Sequence, residues 1–186
     1  MNDAVSGTGL PVTAMPATEL SGFQLRDDMS NTLIVAVSQS GTTTDTNRTV
    51  DLARGRGASV IAIVNRRHSD LTDKAHGIVY TSDGRDVEMS VASTKAFYSQ
   101  IAAGFLLAFA IRQEIDGNQA SNQQEILAAL IDLPDQLAQV LDMQPMIQAA
   151  AQAHAPRRRY WAVVGNGKNK IAAAEIRIKL SELCYK

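Results

Sequence analysis

The chain has 186 residues, 45% hydrophobic and 20% charged, with a formal net charge of −1. This is the composition of a soluble globular protein of one domain, or one domain and part of another, and it gives no electrostatic support to a nucleic-acid partner. A single cysteine, Cys184, permits no disulfide within the chain and fits a reducing compartment.

Residues 1 to about 30 are rich in Gly, Pro, Thr and Ser, with Pro11–Ala14 as a possible short strand. The continuous apolar run Leu33–Val37 then predicts a strand buried on both faces, as in a parallel sheet. Ser38-Gln39-Ser40-Gly41 breaks that run, and a helix is expected from about Thr44 to Arg56, ending near Gly55 and Gly57. A second strand, Val60–Val64, leads through the polar loop Asn65–Ser69 into a short helix, Asp70–Ala75, and a third strand, Ile78–Tyr80. This β-α-β-α-β rhythm predicts a doubly wound parallel α/β sheet with right-handed crossovers.

Residues 81–91 read as a polar loop. A long helix from about Ser93 to Ile115 follows, with Ser93 or Thr94 as N-cap and Gly117-Asn118 at its end. Its apolar run Ile101–Ile111 is about half the length a membrane crossing needs. Helices over 122–131 and 134–152, the second opened by Pro134, form a connector. Arg157-Arg158-Arg159 reads as a solvated approach to a new buried strand, Tyr160–Val164. Gly165-Asn166-Gly167 then turns the chain into a final helix, Lys170–Tyr185, with Cys184 on its apolar side. One strand and one helix cannot bury both sides of a sheet, and a strand–helix unit is expected before residue 10. The expectation is therefore a piece of a longer protein: a first domain over 1–117, a connector over 118–158 and the start of a second domain over 159–186. The start lacks a basic segment followed by an apolar run, so no secretory leader is expected and the cytoplasm is the default location.

Ser38-Gln39-Ser40-Gly41-Thr42-Thr43 carries the chemistry. It lies at the carboxyl end of the first clear strand, the edge where open parallel sheets bind ligands, and it opens a helix whose unpaired N–H groups attract phosphate. Ser38, Ser40 and Thr43 can add hydroxyl donors, and Gly41 lets the backbone turn sharply. There is no lysine, so this is not a nucleotide P-loop. The plain alternative is a capped helix after a turn.

Val91-Ala92-Ser93-Thr94-Lys95-Ala96-Phe97 also sets hydroxyls at a helix start, so Ser93 either meets the same ligand or simply caps. Glu88, just before it, either orients that loop or is merely exposed. In the final helix Glu175, Lys179, Glu182 and Lys186 share one stripe, while Ile176, Leu180, Leu183 and Cys184 form another. That polar stripe is either a solvated face of Glu–Lys pairs or a carboxylate beside an ammonium, able to move protons on a carbonyl substrate. His68, His76 and His154 have no ligand spacing, so no metal site is expected.

Ser38 to Thr46 and Val91 to Phe97 resemble the isomerase half of the glutamine–fructose-6-phosphate aminotransferases, also called glucosamine-6-phosphate synthases. Ala174-Glu175-Ile176-Arg177-Ile178-Lys179-Leu180-Ser181-Glu182-Leu183-Cys184-Tyr185 resembles the start of that family's second sugar-isomerase (SIS) domain. The resemblance implies a flavodoxin-like three-layer α/β/α SIS fold. It implies that Ser38, Gln39, Ser40, Gly41 and Thr43 hold a sugar phosphate and that Ser93 contacts the sugar. It further implies that Glu182 shuttles a proton between the first two sugar carbons while Lys179 positions the sugar. The implied reaction makes glucosamine 6-phosphate from fructose 6-phosphate and glutamine-derived ammonia, with no metal or organic cofactor, in a homodimer.

Thr42 stands where the family commonly has glutamate, and Ile176 and Arg177 replace small residues. The glutaminase domain, the family's first strand with its Gly-Thr-Ser loop, and the part that would carry the ring-opening histidine are outside the sequence, so weak binding without turnover is expected of this chain alone. Relatives with the same fold imply two other readings, an amino-sugar-phosphate deaminase or deglycase and a non-catalytic sugar-phosphate sensor. The partner in each case is a phosphorylated hexose, with no nucleic acid and no membrane.

Overall fold

In the computed structural model, which describes residues 9–83, 95–117 and 122–184, the first regular element is helical. Pro16 precedes α1 (Ala17–Glu19), which continues as a π-helical turn, Leu20–Gln24. Pro11–Ala14 is irregular, so the short strand expected there does not form. An extended segment without a neighbouring strand has no ladder to join. The helical turn, by contrast, is tied down, because the buried Thr49 hydroxyl donates to Ala17 O at 2.9 Å.

The strands are β1 (Leu33–Ser38), β2 (Ser59–Val64) and β3 (Gly77–Tyr80), joined through α2 (Thr44–Arg54) and α3 (Asp70–Lys74). They form one parallel sheet in the order β1-β2-β3, with Leu33 opposite Ser59, Ser38 opposite Val64, and Val64 opposite Tyr80. Parallel neighbours cannot be joined by hairpins, so each connection passes through a helix that covers the sheet. Ala36, Val50, Val60, Ala62, Val64 and Leu71 make one buried cluster, and Met29, Ala53 and Ala58 make another. Each fully buried Val or Leu contributes about 1.5–3 kcal/mol. Gly57, at φ +94°, lets the α2–β2 turn pass Ser30, whose Cα would lie 3.2 Å from any added Cβ. The doubly wound α/β expectation thus holds, with the three strands each within a residue or two of their expected bounds.

α4 (Lys95–Asp116) packs small residues inward, with Ala96, Ala103 and Ala108 buried beside Phe109. Ser93, Thr94 and Glu88 lie outside the described residues. The chain divides into two compact units, one running to Gln124 and one from Glu125.

α5 (Gln123–Asp142), which belongs to the second unit from Glu125 on, continues through Pro134, and the break falls at Met143, before α6 (Gln144–His154) with Pro145 in its first turn. The expected break at Pro134 is therefore corrected. A proline inside a helix removes one backbone donor, and this helix accommodates the loss, whereas Pro145 occupies a first-turn position where the donor is spare.

Tyr160–Val164 forms no strand: among the described residues it has no strand to pair with, and Tyr160 and Val164 are 82% and 85% exposed. α7 (Asn169–Cys184) follows, with Cys184 exposed rather than packed, because no residue of this helix is buried. Among the described residues no helix is long and apolar enough to cross a membrane.

Candidate functional site

β1 delivers Ser38 to the carboxyl edge of the sheet, and α2 starts at Thr44, leaving five residues to turn the chain. Gly41 makes that turn in the left-handed region, at φ +67°, and is buried against α3. A Cβ there would overlap the Ser69 hydroxyl and sit 3.1 Å from Val64 Cγ2. Only glycine meets both demands.

The loop's alternate carbonyls are all occupied by the surrounding protein. Gln39 O accepts from the backbone N–H groups of Asn65 and Arg66, at 3.2 and 3.3 Å. Gly41 O accepts from Leu71 N–H at 3.0 Å and from Asn47 Nδ2 at 3.0 Å. Thr43 O accepts from Asn47 twice, through its backbone at 3.0 Å and its Nδ2 at 3.1 Å. With these three carbonyls engaged, N–H and hydroxyl groups of the loop remain for an anion.

The hydroxyls divide into two kinds. Ser38 is buried, and its Oγ accepts Gly41 N–H at 3.0 Å, so it braces the loop from inside. Ser40 is half-buried, and its Oγ accepts from Thr42 N–H at 3.2 Å and Thr42 Oγ1 at 3.0 Å. Thr43 is exposed at the N-cap of α2, and its hydroxyl makes no capping bond. Among the described residues, nothing accepts from the backbone N–H groups of Ser40, Thr43 or Thr44. These donors stand at the positive end of an 11-residue helix. Thr42 is also exposed.

Asn47 is the residue the motif did not single out. It is 6% exposed, and its side chain spends both Nδ2 protons on loop carbonyls, leaving a buried Oδ1 without a partner among the described residues. A signal existed in the sequence. Asn47, Val50 and Ala53 or Arg54 recur at helical spacing, so an amide interrupts the apolar face of α2, and a polar side chain there must find partners.

Lys179 and Glu182 lie in α7, in the second unit. Lys179 Nζ is 3.0 Å from Glu175 Oε1 and 3.7 Å from Glu182 Oε2. The ammonium thus stands between two carboxylates and lies closer to Glu175, leaving Glu182 the less engaged. Ser93 lies outside the described residues. Among the described residues no cluster of His, Cys, Asp and Glu could hold a metal ion.

Comparison with known proteins gives this site a family. Residues 6–110 match the model of the SIS domain. The chain is 38% identical over 165 residues to a glutamine–fructose-6-phosphate aminotransferase (isomerizing) of Corynebacterium glutamicum, covering 88% of this chain and 26% of that protein. It is 35% identical over 179 residues to the protein of the same name from Symbiobacterium thermophilum, covering 95% and 28% respectively. The chain therefore spans about a quarter of the length of these curated relatives. In fold it matches the C-terminal domain of the glucosamine-fructose-6-phosphate aminotransferase of Francisella tularensis, with a TM-score of 0.86 at 23% identity, over 98% of this chain and 51% of that one. The family model spans the sheet, the Ser38–Thr43 loop and most of α4, and the chain belongs to the SIS domain family.

Proposed function

We propose that this chain is the sugar-phosphate-binding part of a glutamine–fructose-6-phosphate transaminase (isomerizing), which forms glucosamine 6-phosphate. The observation that carries the reading is the Ser38–Thr43 loop, with the carbonyls of Gln39, Gly41 and Thr43 occupied from behind and Ser40, Thr43 and the start of α2 left to receive an anion. Ser38, Gln39, Ser40, Gly41 and Thr43 form the phosphate cradle in this reading, and Ser93 adds a contact to the sugar. The phosphate is remote from the reacting carbons, so its binding energy can be used for orientation.

In the longer protein, ammonia condenses with the C2 ketone of fructose 6-phosphate, releasing water and giving an imine. A base removes a proton from C1, the electrons pass into an enamine-like intermediate, and the proton returns to C2, leaving an aldehyde at C1 and an amine at C2. Glu182 is the base and then the acid, and Lys179 positions the sugar. The placing of Lys179 between Glu175 and Glu182 supports these roles, since it sets the Glu182 carboxylate near an ammonium that lies closer to Glu175. The proposal includes a cytoplasmic homodimer, with a first SIS domain over 1–117, a connector over 118–158 and a second SIS domain opening at 159.

The test is a thermal-shift titration of the chain with fructose 6-phosphate, glucosamine 6-phosphate and inorganic phosphate. A ligand that binds only the folded form raises the melting temperature. Both sugar phosphates are expected to raise it more than phosphate does. A melting temperature indifferent to all three removes the reading.

A further inference from the structure

The Ser38–Thr43 loop contains no lysine or arginine, so its donors are neutral groups and a helix N-terminus. A phosphate ester carries about −1.5 to −2 charges at neutral pH. Two arginines, Arg66 and Arg67, stand at the same sheet edge, in the connection that leaves β2, the strand paired with β1.

That connection is fastened to the loop at three points. Asn65 and Arg66 both donate their backbone N–H groups to Gln39 O. Ser69 lies against Gly41, with no room for a Cβ between them, and its hydroxyl reaches back to Arg66 O at 3.4 Å. His68 sits at φ +53°, a left-handed conformation that costs a non-glycine residue on the order of 1 kcal/mol. Such strain gathers where a backbone must be held for a purpose.

The two arginines are differently employed. The Arg67 guanidinium lies over the Tyr80 ring, 4.2 Å from its centroid. Arg66 is exposed, and among the described residues no carboxylate pairs with it. Its backbone is one hydrogen bond from the phosphate loop, which puts the loop within a side chain's length.

We propose that Arg66 is a phosphate-binding residue of this site, supplying the guanidinium that the Ser38–Thr43 loop lacks. The inference rests on the sugar-phosphate reading above. A guanidinium offers two parallel donors to two phosphate oxygens, and its pairing with a dianion is weakened by salt. The loop's dipoles orient the phosphate, and Arg66 adds the charge.

Isothermal titration calorimetry of the intact chain, with inorganic phosphate and with fructose 6-phosphate at low and physiological salt, tests this. R66Q is expected to weaken both by about tenfold at low salt, the loss of one charge-assisted contact, and to flatten the salt dependence. R66K is expected to recover part of both, and R67Q to bind like the parent chain. Melting curves check that each variant is folded, and R66K carries the comparison if R66Q is not. If R66Q binds as tightly as the parent chain, with the same salt dependence, while S40A binds more weakly, Arg66 is a solvated surface residue and the loop reading survives alone. If S40A and R66Q both leave binding intact, or the parent chain binds neither probe, the loop reading falls and this inference with it.

Discussion

The unit that ends at Gln124 and the unit that begins at Glu125 draw on the same apolar residue types and use them differently. In the first, Val60, Val64 and Leu71 are excluded from water by α2, α3 and the sheet. In the second, no residue of α6 or α7 is buried, and Ile131, Leu141 and Val164 are 79%, 72% and 85% exposed. An amphipathic helix is stabilised mainly by what its apolar stripe lies on, and only the first unit supplies that surface from its own residues. The Ser38–Thr43 loop belongs to the unit with a core, and it is fastened to that core through Gly41, Asn47 and Ser69.

The largest effect expected from this contrast is in native-state hydrogen exchange. Amides of β1, β2 and β3 should be protected at least about a hundredfold more than those of α6 and α7. Equal protection across both units would mean that the second has cover of its own, and the contrast would be lost. Point substitutions should follow the same division. Leu71→Ala should cost about 2–5 kcal/mol in urea denaturation, because the site is fully buried. Leu141→Ala should change stability by no more than about 0.5 kcal/mol.

Much of the first unit was legible because parallel strands announce themselves. Leu33–Val37 and Val60–Val64 are continuous apolar runs, and their turn residues fall where the strands end. The loop's position was legible too, since Ser38-Gln39-Ser40-Gly41 interrupts the apolar run where β1 ends and α2 is about to begin. What could not be read was the bracing. Asn47, Asn65 and Leu71 lie 4, 22 and 28 residues beyond the end of the loop, and their contacts depend on how α2 and α3 fold back over the edge. Tyr160–Val164 reads as a strand by composition, but a strand is a pairing, and composition does not supply a partner. The break at Met143 rather than Pro134 shows a similar limit, because a proline's cost is decided by the whole helix around it.

Smaller effects sharpen the loop side of the comparison. Gly41→Ala combines a left-handed backbone with an overlap on Ser69, and should cost about 2–4 kcal/mol while loosening the loop from α3. Asn47→Leu removes two donors whose acceptors each keep one other partner. A loss of about 1–2 kcal/mol is expected, together with weaker phosphate binding well below the melting temperature, where the folded fraction is unchanged. Stability lost with affinity unchanged would reduce Asn47 to a packing residue. On α7, Glu175→Gln should move stability by only about 0.3–0.5 kcal/mol, since the pair is a helix-surface one.

The central claim is that an anion is received at the start of α2. Titrating the 15N-labelled chain with fructose 6-phosphate and following backbone amide shifts tests it most directly. The expected result is saturable movement concentrated on Ser40, Thr43 and Thr44, with β3 and α6 unmoved. Saturable movement elsewhere with these three amides still, or no movement at millimolar ligand, would contradict the account.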